Sequence, residues 1–308
     1  MIRILLWITL LITFLNDWSD PREFDYEKVD RLILSRSDEF KSTGAISKYI
    51  NETFSTDHEK FRAVFRWVTD NISYNYSARN ANAQEVFKSK TAVCNGYSEL
   101  IKLLCDSCNI KCRMVTGFVK LDLNYLVYKN DSAHAWNIVG LGGREYLVDA
   151  TWAAGQYNHS TNKFIKEFDE LYFLTPPETF ILNHFPDYLV DQLLKNPITE
   201  ETFRNSPLFC YKAFNYEVTS FLPVSSTIMV KRNDKISFSY GMTYPPVHMS
   251  VELLNGLADT HPLQSDIVFQ GTDDRVSFNL QFDNPGEYFL CICFDEEDAI
   301  YYKLQVTK

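Results

Sequence analysis

The 308-residue chain has no basic cluster, no strong internal repeat, no low-complexity segment and no apolar stretch of transmembrane length. With 30 Lys and Arg against 40 Asp and Glu, and a net charge of −10, it has no electrostatic footing for nucleic acid or an anionic membrane surface. Its longest apolar run, Ile4 to Leu15, covers about 12 residues. A spanning helix needs roughly 20, so no membrane span is expected in the mature chain. A second cysteine pair and a thioredoxin-like context are also missing around Cys105-Asp106-Ser107-Cys108. A zinc or redox C-x-x-C needs one or the other. On a helix, Tyr97, Ile101, Leu104, Cys105 and Cys108 share one face, which reads as packing. No metal and no cofactor are expected.

What is present fills a core. Hydrophobic residues make up 45% of the chain and aromatics 15%, enough for one large domain or two modest ones and too much for wholesale disorder. Arg3 ahead of the apolar run predicts a signal peptide over 1–19, cut near Asn16 to Ser19, although no clean small-x-small site follows. The alternative is an uncleaved anchor or an N-terminal apolar helix. Five sequons, at Asn51, Asn71, Asn75, Asn130 and Asn158, suit a glycoprotein that is secreted or resides in the secretory-pathway lumen. Seven cysteines, an odd count, suit one free reactive thiol, Cys94, and as many as three disulfides among Cys105, Cys108, Cys112, Cys210, Cys291 and Cys293. Their connectivity stays open.

Phe61, Val64, Phe65 and Val68 recur at i, i+3, i+4 and i+7 and predict a helix from Glu59 to Thr69. A short helical piece follows at Gln84 to Lys88, a longer helix at Cys94 to Cys108, and a strand at Arg113 to Val119. Residues 133–151 read as a hairpin turning at Gly142-Gly143, which pairs Val139 with Tyr146 and Trp136 with Asp149. His134 then shares a face with Trp136, diagonal to Asp149, within reach of longer side chains. Tyr172 to Pro177 reads as a strand stopped by prolines. From about Asn215 the texture changes to β-branched and aromatic runs: Ser225 to Val230, Ile236 to Tyr240, Val247 to Leu254, Ile267 to Gln270, Arg275 to Phe282, Glu287 to Phe294 and Ile300 to Val306. These predict a β-sandwich whose closing strands look immunoglobulin-like.

Cys94, His134 and Asp149 stand where one reaction could use all three. A thiol at a helix start is acidified by the unpaired N–H groups there. A histidine takes the thiol proton and returns one to the leaving group, and a carboxylate on the other ring nitrogen fixes its tautomer and orientation. The N–H of Cys94 or a neighbour would steady an oxyanion, with Gly96 allowing close backbone approach. Taken singly, each has a plainer reading: packing for the cysteine, a structural role for the histidine, a cap or turn for the aspartate.

Val93-Cys94-Asn95-Gly96-Tyr97, His134-Ala135-Trp136-Asn137 and Leu147-Val148-Asp149-Ala150-Thr151-Trp152 resemble, in order, the three motif blocks of the transglutaminase-like superfamily, most nearly the branch that includes kyphoscoliosis peptidase. Phe65-Arg66-Trp67-Val68 and Asn71-Ile72-Ser73-Tyr74 are similar to upstream elements of that branch. Phe173 to Glu178, His184-Phe185-Pro186-Asp187 and Gln192-Leu193-Leu194 are similar to downstream ones. The resemblance runs from roughly residue 55 to 208. It implies an α+β, papain-like core, here over 20–208; the β-sandwich read from the strand pattern follows at 209–308. It also implies a Cys94 nucleophile, a His134 base, an Asp149 orienting acid, and Trp136 and Trp152 as walls for a protein or peptide substrate. The oxyanion side chain has no clear match; Gln84 is the candidate. No acidic loop resembles the calcium sites of animal transglutaminases, so the resemblance implies a cysteine hydrolase of amides. The alternatives are a non-catalytic scaffold on the same fold or an amine-accepting transglutaminase.

Overall fold

The computed structural model describes residues 20–78, 82–129, 132–158, 161–256, 263–266, 270–272 and 274–308. The expected signal peptide over 1–19 and the sequon at Asn130 lie outside them.

The chain first lays down helices: α1 (Glu27–Leu34), α2 (Thr43–Thr53) and α3 (Asp57–Asn71). A capping box starts α3, with Thr56 Oγ1 accepting the Glu59 N–H and the Glu59 carboxylate accepting the Thr56 N–H. Phe61, Val64, Phe65 and Val68 are all fully buried, as their spacing predicts. Two arginines are buried on the same helix. Arg62 forks onto Asp30 of α1 at 2.7 Å, reaches Glu170, and lies 4.6 Å from the centre of the Phe173 ring.

β1 (Ser73–Tyr74) and β2 (Thr91–Ala92) pair in parallel across α4 (Ala83–Ser89), and β2 leads into α5 (Cys94–Ser107). Then follow β3 (Lys111–Val119), α6 (Asn124–Tyr128), β4 (Ser132–Leu141), β5 (Arg144–Val148), α7 (Ala150–Ala153), the hairpin β6 (Gly155–Asn158) with β7 (Lys163–Lys166), α8 (Pro177–Phe180) and β8 (His184–Pro186). β5-β4-β3-β8 form an antiparallel sheet against which α5 packs. Gly142 and Gly143 both take positive φ, and Val139 pairs with Tyr146, the register expected from that turn.

Tyr172 to Pro177 is not a strand. A 3-10 turn spans Glu170–Tyr172, Leu174 has φ +55°, and Thr175 makes one bridge to Leu147 before α8 begins. A leucine in the left-handed region breaks the extended run that composition suggested.

After α9 (Glu200–Asn205), β9 (Leu208–Phe209) opens the second part. It continues with β10 (Val218–Leu222), β11 (Thr227–Lys231), β12 (Lys235–Met242), β13 (Met249–Leu254), β14 (Leu263–Asp266), β15 (Gln270–Thr272), β16 (Arg275–Gln281), β17 (Gly286–Phe294) and β18 (Glu297–Thr307). One sheet runs β10-β12-β16-β15; the other runs β11-β18-β17-β13-β14, with β9 also on β18. Phe238, Tyr240, Val276 and Phe278 from the first meet Leu290, Ile292, Tyr302 and Leu304 from the second in one buried core. Six of the seven expected runs overlap a strand closely. The seventh, Ile267 to Gln270, keeps only Gln270 in a strand, its other residues lying outside the described ones.

All seven cysteines are free thiols, so the expected disulfides are absent. Cys105 and Cys108 are buried on the core face of α5 with Tyr97, Ile101 and Leu104. Among the sequons, Asn51 and Asn75 are exposed, whereas the Asn71 amide is half-buried and donates to the Trp67 carbonyl at 2.9 Å. No helix of the described residues is long and apolar enough to cross a membrane.

Candidate active site

Cys94 is the first residue of α5, which has no side-chain cap, so the N–H groups of its first turn are not taken by a capping oxygen. The helix is held to the sheet by Asn137 of β4, whose Nδ2 donates to the Ser98 carbonyl at 3.1 Å, and to α3 by the Tyr97 hydroxyl, which donates to the Ile72 carbonyl at 2.7 Å. Three residues before Asn137, His134 reaches the Cys94 thiol. Its Nε2 lies 2.7 Å from Asp149 Oδ2, which leaves Nδ1 as the nitrogen for the thiol. The structure thus brings Cys94, His134 and Asp149 together in the expected order.

Asp149 is fully buried and uses both oxygens. Oδ1 accepts the N–H groups of Thr151 at 2.8 Å and Trp152 at 3.2 Å, capping α7, while Oδ2 faces His134. Cap and orienter are the same carboxylate. Oδ2 also has a second partner that the local motifs do not predict: His184 Nε2, 3.2 Å away and completely buried on β8.

These contacts set the charges. Burial alone would raise the Cys94 thiol, but the hydrogen bond and positive charge of His134 and the Ala135 N–H outweigh it, so the pKa falls below its usual 9.0. Burial alone would lower His134, yet Asp149 and Cys94 push it up to about 10. Burial opposes ionisation of Asp149 too, and His134 and His184 hold it well below the usual carboxylate range. His184 is pulled down to about 4 by burial and is neutral at pH 7. The arrangement favours a thiolate–imidazolium pair.

The thiol opens on a cavity of about 1110 Å³. Trp152, Tyr74, Tyr76, Tyr157 and Phe164 line it from the first part of the chain, and Leu208, Phe209, Cys210 and Tyr301 from the second. Trp152 lines the cavity; Trp136 does not. Trp136 is fully buried in a separate cluster with Val115, Ile138, Leu147 and Phe180, its ring centre 6.1 Å from that of His134. It shares His134's strand face one step deeper in the sheet and so becomes a floor for the imidazole. Gln84, the oxyanion candidate, donates to Thr43 Oγ1 and does not line the cavity. The Gly96 N–H is bonded to the Val93 carbonyl.

Residues 44–153 match the family model described as the transglutaminase-like superfamily. The chain belongs to that superfamily. It is similar to kyphoscoliosis peptidase of Mus musculus, 31% identical over 244 residues that make up 74% of this chain and 36% of the relative. The Homo sapiens protein of that name is 33% identical over 210 residues, 65% of this chain and 31% of the relative. Hillarin of Drosophila melanogaster is 29% identical over 218 residues, 65% of this chain and 26% of the relative. The chain therefore spans about a third of the length of the curated relatives it matches.

Proposed function

We propose that the protein is a cysteine hydrolase acting on amide bonds of a protein or peptide. The observation that carries this reading is the continuous chain from a helix-start thiol through His134 to a buried carboxylate, at the edge of an open cavity. The Cys94 thiolate attacks the amide carbon and forms a C–S bond. The tetrahedral oxyanion collapses, the C–N bond breaks, and His134 gives its proton to the departing amine. Water then attacks the thioester while His134 takes its proton, releasing the acid and restoring the thiolate. Asp149 steadies the imidazolium throughout. Asp122 and Glu167 on the cavity lining favour a substrate segment carrying positive charge.

The proposal extends to the rest of the chain. Residues 20–208 hold the chemistry, and 209–308 form an immunoglobulin-like sandwich, a reading supported by the parallel pairing of β11 with the last strand, β18. Secretion is proposed on the N-terminal apolar run and on the exposed Asn51 and Asn75. A mobility shift after glycosidase treatment of the cell-made protein checks it.

The decisive experiment is the pH dependence of alkylation at Cys94, read by intact-protein mass spectrometry, in wild type and His134→Ala. The expected result is a thiolate already present at neutral pH, with the rate at pH 7 falling at least about tenfold in the variant, since each unit of pKa is a factor of ten in thiolate. A Cys94 no faster than an ordinary thiol and indifferent to His134 overturns the enzyme reading in favour of a binding module. Incorporation of an amine probe into protein glutamines would instead mark a transferase.

A further inference from the structure

Far from the trio in sequence, a second cluster of reactive side chains sits on the sheet face turned away from the sandwich core. Cys291 and Cys293 are two residues apart on β17 and so point to one side. Leu290, Ile292 and Phe294 point to the other, into the core. The two sulfurs are 3.7 Å apart. Asp298 on β18 places Oδ1 at 3.6 Å from Cys291 Sγ and 4.0 Å from Cys293 Sγ, while its Oδ2 accepts from the Tyr301 hydroxyl at 2.6 Å. Directly across from Cys293 on β13, Ser250 is completely buried, and its hydroxyl has no hydrogen-bond partner.

Packing accounts for two buried cysteines, which behave as small hydrophobes. It does not by itself turn a carboxylate onto both sulfurs. A tetrahedral ion accounts for the spacing of the three ligand atoms. With Zn–S near 2.3 Å and Zn–O near 2.1 Å, a regular tetrahedron sets two sulfurs about 3.8 Å apart and each sulfur about 3.6 Å from the oxygen.

We propose that Cys291, Cys293 and Asp298 bind a thiophilic divalent cation, zinc by ligand type, with water completing the tetrahedron on the exposed side of Asp298. Two thiolates select zinc over calcium or magnesium, which prefer oxygen. Binding replaces the protons of the coordinating thiols, which pass to solvent. The Tyr301 hydroxyl, which donates to Oδ2, fixes the carboxylate. Because Tyr301, which holds Asp298, also lines the large cavity, the ion would brace its far wall. The site does not depend on the hydrolase reading.

The test is titration of the chelator-treated full-length protein with Zn²⁺ against a competing dye, and with Co²⁺ read by its thiolate charge-transfer absorption. One equivalent per chain is expected, unchanged in Cys94→Ala. Binding should weaken at least tenfold in Asp298→Asn and be lost in Cys293→Ser. Asp298 is solvent-exposed, so its variant keeps the test informative if the buried cysteine variant does not fold. No stoichiometric binding, binding indifferent to Asp298→Asn, or binding lost in Cys94→Ala overturns the proposal.

Discussion

Asp149 shows how much a single carboxylate can carry. It caps α7 with one oxygen and stands between His134 and His184 with the other. The trio was legible in the sequence because each member lies in its own local pattern: a helix start for Cys94, and the two arms of one hairpin for His134 and Asp149. His184 lies in a downstream block of the resemblance, and nothing near it in sequence says that β8 will bring it to Asp149. His184→Phe keeps the stacking on Phe180, whose ring centre is 4.0 Å away, and removes the donor to Asp149. A hydrogen bond to a charged group contributes roughly 1.5–3 kcal/mol, so a stability loss of about 2 kcal/mol is expected in urea unfolding. The pH sense follows from the same contact. Asp149 is depressed in the folded state, so its contribution is present above its unfolded pKa and is lost as pH falls through the folded value. Without His184 the folded value rises, and acid unfolding should begin at a higher pH. An unchanged acid limb would argue against the contact.

At the scale of elements, the site depends on how closely three strands approach. Gly117 on β3 faces His134 on β4 and Pro186 on β8. A Cβ there would lie 2.1 Å from the Phe185 carbonyl oxygen and 2.8 Å from both Pro186 Cα and the Trp136 ring. Backbone cannot yield as a flexible side chain can. Gly117→Ala should therefore cost about 3 kcal/mol, the upper end for overpacking, and slow Cys94 alkylation by moving His184 and Trp136 together. Loss of stability without loss of Cys94 reactivity would separate the sheet from the site. Long periodic elements such as α3 and α5 were readable because helix period and burial coincide. The hairpin register was readable because two glycines fix its turn. Tyr172 to Pro177 misled because its shape comes from a left-handed Leu174 and a bridge to Leu147, neither written in local pattern. A motif position beside His134 does not say how deep in the sheet a residue lies, which is why Trp136 was expected on the cavity.

Across the whole molecule, the change in texture near residue 215 marked where strands take over, but the joint between the two parts had no sequence signature. Lys120, at the end of β3, is buried and donates to the Ser206 hydroxyl at 2.7 Å and to the Ser206 and Pro207 carbonyls at 3.0 and 3.3 Å. Tyr125 and Leu126 of α6 share a buried cluster with Leu208, Leu254, Phe289 and Tyr301. The cavity runs along this same joint, so its shape depends on both parts folding together. The tryptophans among the described residues all lie at or before position 152, so their fluorescence reports the first part, whereas far-UV circular dichroism reports both. The shared cluster predicts coincident transitions by the two probes in urea. Lys120→Met removes the charge-assisted bonds and strands the Ser206 and Pro207 carbonyls in the interior. It should shift both transitions down together, by about 2–3 kcal/mol. A tryptophan transition that moves alone would mean that the halves fold independently, and that the cavity wall made by Leu208, Phe209, Cys210 and Tyr301 is free to swing away from Cys94.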